Sequence, residues 1–327
     1  MFARSDRRAK PVIAIPDGVG WGIVLAVSAA LISGLAIYLN AFAVKQLPDA
    51  AVYTTLKNAV AAVVLIAAAL ALGAAHDARS IDRRQWPIVL AVGIVGGSVP
   101  FILFFTGLAQ ASAPSAAFIQ KTLFVWVALL AVPFLGERLG LAPIMAIGVL
   151  FVGQALVLPP DGVRWGSGET LILTATLFWA AETVLVKRLL GSIPSHVMAA
   201  LRMGVGLVVL VAYLALSGKL GVIAALAPIQ VGWVVLTGLI LAGYVGTWFA
   251  ALKRAPASVV TSVLVIGAVV TGTISAVSKG TLPSPSVVAG YLLIVTAAAV
   301  IAAWTKRAAT AVADGGRQPG TGNLSAG

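Results

Sequence analysis

A-P-S-A-A-F-I-Q-K-T-L-F-V-W-V-A-L-L-A-V-P-F-L-G-E-R-L, residues 113–139, decides what kind of chain this is. It is long enough to cross a bilayer, because about 20 apolar residues at about 1.5 Å each span the hydrocarbon core. Yet Gln120 and Lys121 lie well inside it, and it stops at Gly136-Glu137-Arg138. An ionisable residue within a membrane helix costs about 2.5 kcal/mol or more and normally faces a cavity or a partner. One stretch therefore carries a span, a candidate site and a cytoplasmic stop.

The rest of the chain is of the same kind. Its 327 residues are 60% hydrophobic and only 10% charged, with a mean hydropathy of +1.05. Soluble domains carry about 25% charged residues, and no water-soluble core could hide this much apolar surface. The chain reads as a polytopic membrane protein with the lipid bilayer as its solvent. A formal charge of +12 would suggest nucleic acid in a soluble protein. Here the Lys and Arg residues sit in short loops and tails, where they orient helices, so no nucleic-acid partner is expected.

Cysteine is absent, and His76 and His196 both lie near span ends. A disulfide framework, a thiolate metal site and a histidine zinc site are excluded. There is no Walker A pattern, paired carboxylate set, Ser-His-Asp set or H-E-x-x-H. The expectation is no enzyme, no metal and no cofactor.

Hydropathy gives ten segments, near 20–43, 52–73, 87–108, 114–135, 140–158, 168–187, 196–217, 230–250, 257–278 and 285–304. Ahead of them, residues 1–19 carry Arg4, Arg7, Arg8 and Lys10. The apolar run Trp21–Val44 is too long for a signal peptide and many spans follow, so it reads as an anchored first helix. Residues 306–327 are small, polar and Gly-rich, which predicts a disordered tail.

With the N-terminus inside, the inner side holds Arg4, Arg7, Arg8, Lys10, Arg79, Arg83, Arg84, Arg138, Lys187, Arg188, Lys253, Arg254, Lys306, Arg307 and Arg317. The outer side holds only Lys45, Arg164, Lys219 and Lys279. That bias places both termini in the cytoplasm.

The chain also repeats itself. L-K-N-A-V-A-A-V-V-L at Leu56–Leu65 aligns with L-R-M-G-V-G-L-V-V-L at Leu201–Leu210, and Gly136 falls on Gly280. Each half, 20–158 and 166–305, then has five helices. Five is odd, so the second half enters the membrane in the opposite direction. The expected fold is all-α and integral to the membrane: ten transmembrane helices as two inverted five-helix repeats, the layout of secondary transporters with a midplane site.

Two five-helix halves, a cation opening the second helix of each (Lys57 and Arg202), and the ending P-F-L-G-E-R-L together resemble the EamA family of the drug/metabolite transporter superfamily. The resemblance covers residues 20–305. The second half departs from it, with K-G-T-L-P where the first has L-G-E-R-L. The resemblance implies a secondary transporter, often an exporter, of small metabolites, with the fifth and tenth helices packed away from a central cavity. It leaves the substrate open.

Within the spans, Lys121 is the sharpest feature. Its counterpart in the second half is Val265, and that of Gln120 is Leu264. A ligand breaks the symmetry that packing alone would keep, so Lys121 reads as a holder of a substrate carboxylate or other anion; snorkelling or a structural ion pair is the bland reading. Matching Lys45 to Lys187 puts Glu182 on Asn40. Glu182 reads as a site for a substrate amine, a coupling proton or Lys121, or else as a carboxylate reaching the cytoplasmic interface.

Lys57 and Arg202 read as snorkelling anchors, and Glu137-Arg138 as a solvated or helix-end pair. In the third segment, Pro100 removes a backbone donor and crowds the carbonyl of Gly96, so a kink or hinge is expected at Gly96, Gly97 and Pro100. Trp126, Trp179, Tyr244 and Trp248 are candidates for lining a cavity, against plain packing. Trp86 and Trp233 read as interfacial belt residues.

The expectation is thus a multi-pass transporter of the inner (plasma) membrane, working by alternating access on an amino acid or related anionic or zwitterionic solute, with protons as candidate coupling ion. Uptake or exchange by the same fold, and a non-transporting lipid-handling or assembly factor, stand as alternatives.

Overall fold

The computed structural model describes residues 18–137, 140–157 and 165–315, with side chains up to residue 310. Arg138, Arg164, residues 1–17 and residues 316–327 lie outside the described residues. The first half contains α1 (Val19–Gln46), α2 (Ala50–Ala71), α3 (Ala74–Arg79), α4 (Trp86–Val95), α5 (Val99–Gln110), α6 (Ala113–Lys121), α7 (Leu123–Leu135) and α8 (Leu141–Val157). The second contains α9 (Ser167–Leu189), α10 (Ser195–Leu216), α11 (Gly221–Ala224), α12 (Pro228–Arg254), α13 (Ala257–Leu264), α14 (Ile266–Ser278) and α15 (Pro285–Gly315). There is no strand among the described residues.

With α4–α5, α6–α7 and α13–α14 each taken as one span, nine helices among the described residues are long and apolar enough to cross a membrane. The apolar α8, at 17 residues, is shorter. Large side chains such as Leu129, Met145, Val208 and Leu292 stand exposed on the outer faces. A water-soluble surface rarely shows so much apolar area in contiguous patches; here lipid covers it. The chain is a multi-pass membrane protein.

Local sequence sets the helix ends. The Asp49 carboxylate accepts from the amides of Ala51 at 2.7 Å and Val52 at 3.1 Å, capping α2. Ser112 does the same for α6 through Ser115 N–H at 3.2 Å. Gly136 (φ 68°) and Gly280 (φ 63°) end α7 and α14 in the left-handed region, which only glycine adopts without strain.

Contacts recur with the halves exchanged. α1 packs on α12 while α9 packs on α5; α1 also meets α13 and α14, while α9 meets α6 and α7. α2 pairs with α10, and α8 with α15. Small residues let these backbones close up: a Cβ on Gly107 would lie 2.5 Å from Gly168 O, and one on Gly153 would lie 3.0 Å from Gly290 O.

Three spans are broken. The interruption at Gly96–Ser98 falls where Pro100 predicts it. The other two, at Thr122 and Val265, have no proline to announce them. At Thr122 the amide is shared between Phe118 O at 3.2 Å and Ile119 O at 3.1 Å, and the hydroxyl donates to Ile119 O at 2.7 Å. That tightens the turn toward 3₁₀ geometry.

One expectation is corrected at the C-terminal end. α15 continues to Gly315, so residues 306–315 are helical rather than part of a disordered tail. Ala308, Ala309 and Ala311 are strong helix formers that carry the preceding apolar helix onward.

Candidate functional site

The site grows from the break in the third span. Pro100 has no N–H to bond the carbonyl four residues earlier, so Gly96 O is free of its helical partner. Two side chains from the second half take it: Arg202 Nη2 donates at 2.8 Å and Trp179 Nε1 at 3.1 Å. Gly96 also makes room, since a Cβ there would collide with the Glu182 carboxylate. A Cβ on Gly97 would sit 2.5 Å from Arg202 O. The glycines and proline thus dock α4–α5 onto α9 and α10.

Glu182 on α9 and Arg202 on α10 form a bidentate ion pair: Nε to Oε1, and Nη2 to Oε2 at 3.0 Å. Both residues are buried. The pair is fully engaged, with further guanidinium contacts going to Gly96 O, Met203 Sδ and the rings of Phe101 and Phe249. Desolvating two charges is tolerated only with such complete partnering.

The first half repeats the arrangement with one change. Lys57 on α2 reaches back to α1, where its Nζ donates to Asn40 Oδ1 at 3.2 Å. It lies over the Phe105 ring, 3.4 Å from the centroid. The Tyr53 hydroxyl also donates to Asn40 Oδ1, at 2.5 Å. An amide therefore meets the lysine where a carboxylate meets the arginine.

Lys121, at the last position of α6, donates to Ser33 Oγ on α1 at 2.7 Å and is 1% exposed. It fills the crossing of α1 with α14, where a Cβ on Gly267 would lie 3.0 Å from Lys121 Cε. Lys121 and Glu182 do not pair with each other.

Ser33, Asn40, Gln120, Trp179, Glu182, Arg202, Tyr244 and Trp248 converge on one cavity of about 80 Å³, with Phe101, Phe105 and Phe249 also in its wall. Gln120 Oε1 is buried there with no hydrogen-bond partner among the described residues. Six expected site residues thus meet: Asn40, Gln120, Trp179, Glu182, Tyr244 and Trp248. Lys121 stands one layer behind, through Ser33. Trp126 is not in the lining; its indole N–H donates to Thr122 on the preceding turn at 3.2 Å.

One reading is corrected. Lys57 and Arg202 do not snorkel: they are 1% and 5% exposed and turn into the bundle, because polar partners on α1 and α9 and the Gly96 carbonyl await them there. Glu137 takes the helix-end alternative, with Arg138 outside the described residues. Its carboxylate accepts from the amides of Ala257 at 2.6 Å and Ser258 at 3.2 Å, capping α13 across the halves. Ser33 was not singled out by sequence. The pairing of Lys57 with Asn40 and of Arg202 with Glu182 was implicit in the repeat, which aligns both members of each pair.

Both ends of the bundle are tied. Where α1 meets α2, Lys219 donates to Asp49 at 2.6 Å, and Gln230 to Gln46 O at 2.6 Å. Burial pushes the Asp49 carboxyl up, but the Lys219 hydrogen bond and the Val52 and Ala51 amides outweigh it and hold it below its ordinary value. The hydrogen bond that Lys219 donates to Asp49 raises Lys219 in turn. At the opposite end, Lys187 Nζ donates to Leu252 O at 2.5 Å and Ala255 O at 2.7 Å, closing the C-terminus of α12.

A crystal structure of another protein is similar over 88% of this chain and 98% of its own, with a TM-score of 0.67 and 21% identity, a likeness of fold. No curated protein matches the sequence. The model of the EamA-like transporter family matches twice, over residues 20–158 and 166–303. With both copies spanning nearly the whole chain, the protein belongs to the EamA family of the drug/metabolite transporter superfamily.

Proposed function

We propose that the protein is a secondary active exporter of a small anionic or zwitterionic organic metabolite. It works by alternating access, from ten membrane helices arranged as two inverted repeats, α8 being the tenth. It resides in the inner membrane with both termini in the cytoplasm. The observation that carries this reading is the cavity between the halves, mostly apolar in its wall but holding a buried charged pair docked on a broken helix. Transporters of inverted-repeat design bind substrate at such discontinuous helices near the midplane.

In this scheme Asn40, Gln120 and the Glu182–Arg202 pair supply the polar walls, and Lys121 supplies positive charge through Ser33. Trp179, Tyr244 and Trp248 shape the apolar side. The break at Gly96, Gly97 and Pro100 is the hinge, with the interruptions at Thr122 and Val265 as further bending points.

The test is solute movement. Purified protein in liposomes preloaded with a radiolabelled library of organic acids and amino acids should release a subset of them, faster under an inward proton gradient. Release no faster than from protein-free liposomes for every solute would refute transport. Release indifferent to the gradient would refute proton coupling.

A further inference from the structure

The charges around the cavity carry the reading one step further, to the class of solute. Each half builds the same three-part unit: a polar residue on the first helix, a cation on the second, and an aromatic ring on the third. In the second half these are Glu182, Arg202 and Phe249. In the first they are Asn40, Lys57 and Phe105. The carboxylate neutralises Arg202, whereas the neutral amide of Asn40 brings Lys57 no counter-charge. Lys121, with no counterpart in the second half, meets only the Ser33 hydroxyl.

Among the carboxylates whose side chains the structure describes, each already has a partner. Glu182 is committed to Arg202, Glu137 caps α13, and Glu169 accepts from Gly166 N–H at 3.1 Å. Asp49 holds Lys219, Asp77 stands 3.5 Å from His196, and Asp82 accepts from Arg84 N–H. Two buried lysines, Lys57 and Lys121, therefore stand behind the cavity wall with no carboxylate partner among the described residues.

Their positions are ordered. Ser33 and Asn40 lie seven residues apart on one face of α1, two turns or about 10 Å, and both line the cavity. One lysine backs each end of that stripe. We propose that the cavity is built for a short dianion, a dicarboxylate or a solute with two equivalent anionic groups. This rests on the transporter reading above.

The physical reason is complementarity. Burial without a counter-charge disfavours the charged form of a lysine, and a ligand that brings an anionic group restores it and gains the resulting attraction. A dianion does so at both ends, and a monoanion at one. A zwitterion brings an amine for which no carboxylate is free. The rings of Phe101, Phe105 and Trp179 cover the carbon chain between the two ends.

The experiment is competition in the reconstituted protein, read as both binding-induced thermal stabilisation and liposome flux. The solutes are dicarboxylates of three to eight carbons, matched monocarboxylates, neutral amino acids and diamines. The best dicarboxylate should outcompete its matched monocarboxylate and every amino acid by roughly tenfold or more. Asn40→Asp gives Lys57 its own carboxylate within the same shape and should bring the dicarboxylate preference toward unity. Lys121→Met should do the same from the other end.

A wild-type protein that moves monocarboxylates, amino acids or amines as well as or better than dicarboxylates overturns the inference and leaves the transporter reading standing. A dicarboxylate preference that survives both substitutions overturns it too. Absence of flux and stabilisation with every solute overturns both.

Discussion

Glu182 and Asn40 hold the same place in the two halves, and each receives the cation of the following helix: Arg202 Nη2 at 3.0 Å for Glu182, Lys57 Nζ at 3.2 Å for Asn40. The geometry repeats and the charge does not. A carboxylate faces the cation in the second half and a neutral amide in the first.

The Arg202–Glu182 pair should behave as a unit. Glu182→Gln leaves a buried guanidinium without its anion, and we expect a loss of about 3–5 kcal/mol of stability. Arg202→Met alone strands the carboxylate and should cost as much. The double substitution should cost much less than the sum, which a double-mutant cycle on melting in detergent reads directly. Additive losses would mean that the pair is not coupled.

Glu137 ties the end of α7 to the start of α13 through two amides and the Ser258 hydroxyl. Glu137→Ala removes a charge-assisted cap and should lower stability by about 1–3 kcal/mol. Glu137→Gln should recover part of it, because an amide oxygen still accepts. Chemical denaturation or melting of the three proteins side by side distinguishes the order.

Pro100 is expected to matter for turnover more than for affinity. Pro100→Ala supplies an N–H that can bond Gly96 O, in competition with Arg202 and Trp179. Straightening the helix should slow solute flux several-fold while leaving the half-saturating concentration nearly unchanged. A changed KM at constant kcat would assign the break to the binding wall instead.

The Asp49–Lys219 pair gives a pH signature. Asp49 is held below its ordinary value, so its contribution is full above about pH 4 and is lost as the pH falls through the lowered pKa. Lys219 is raised, so its contribution is full below about pH 10 and is lost as the pH rises through the raised pKa. Between these limits Asp49→Asn, which keeps a capping oxygen, should lower stability by less than about 1 kcal/mol, because the pair is partly exposed. The Tm gap between the two proteins should stay level across neutral pH and close on acidification; a gap that widens in acid contradicts the assignment.

Much of this was legible in the chain. The nine spans found among the described residues, the Leu56–Leu65 and Leu201–Leu210 repeat and the break before Pro100 follow from hydropathy, register and the missing N–H, all properties of local sequence. The inward turn of Lys57 and Arg202 was not legible, since a long cationic side chain near a helix end satisfies snorkelling equally well until its partner is known. The breaks at Thr122 and Val265 were hidden for a similar reason: threonine and valine continue helices elsewhere, and tertiary packing overrides that preference here. Lys121 was found by its asymmetry, but its setting behind Ser33 depends on how α1 crosses α14, which no single segment records.

The central claim is that the cavity opens to each side of the membrane in turn. The chain contains no cysteine, so a single Thr183→Cys, at a cavity-lining position, can be labelled with a membrane-impermeant thiol reagent in oriented proteoliposomes. Labelling from either face, slowed by a transported solute, is the expected result. Labelling from one face only, or at a rate no solute alters, would contradict alternating access to this site.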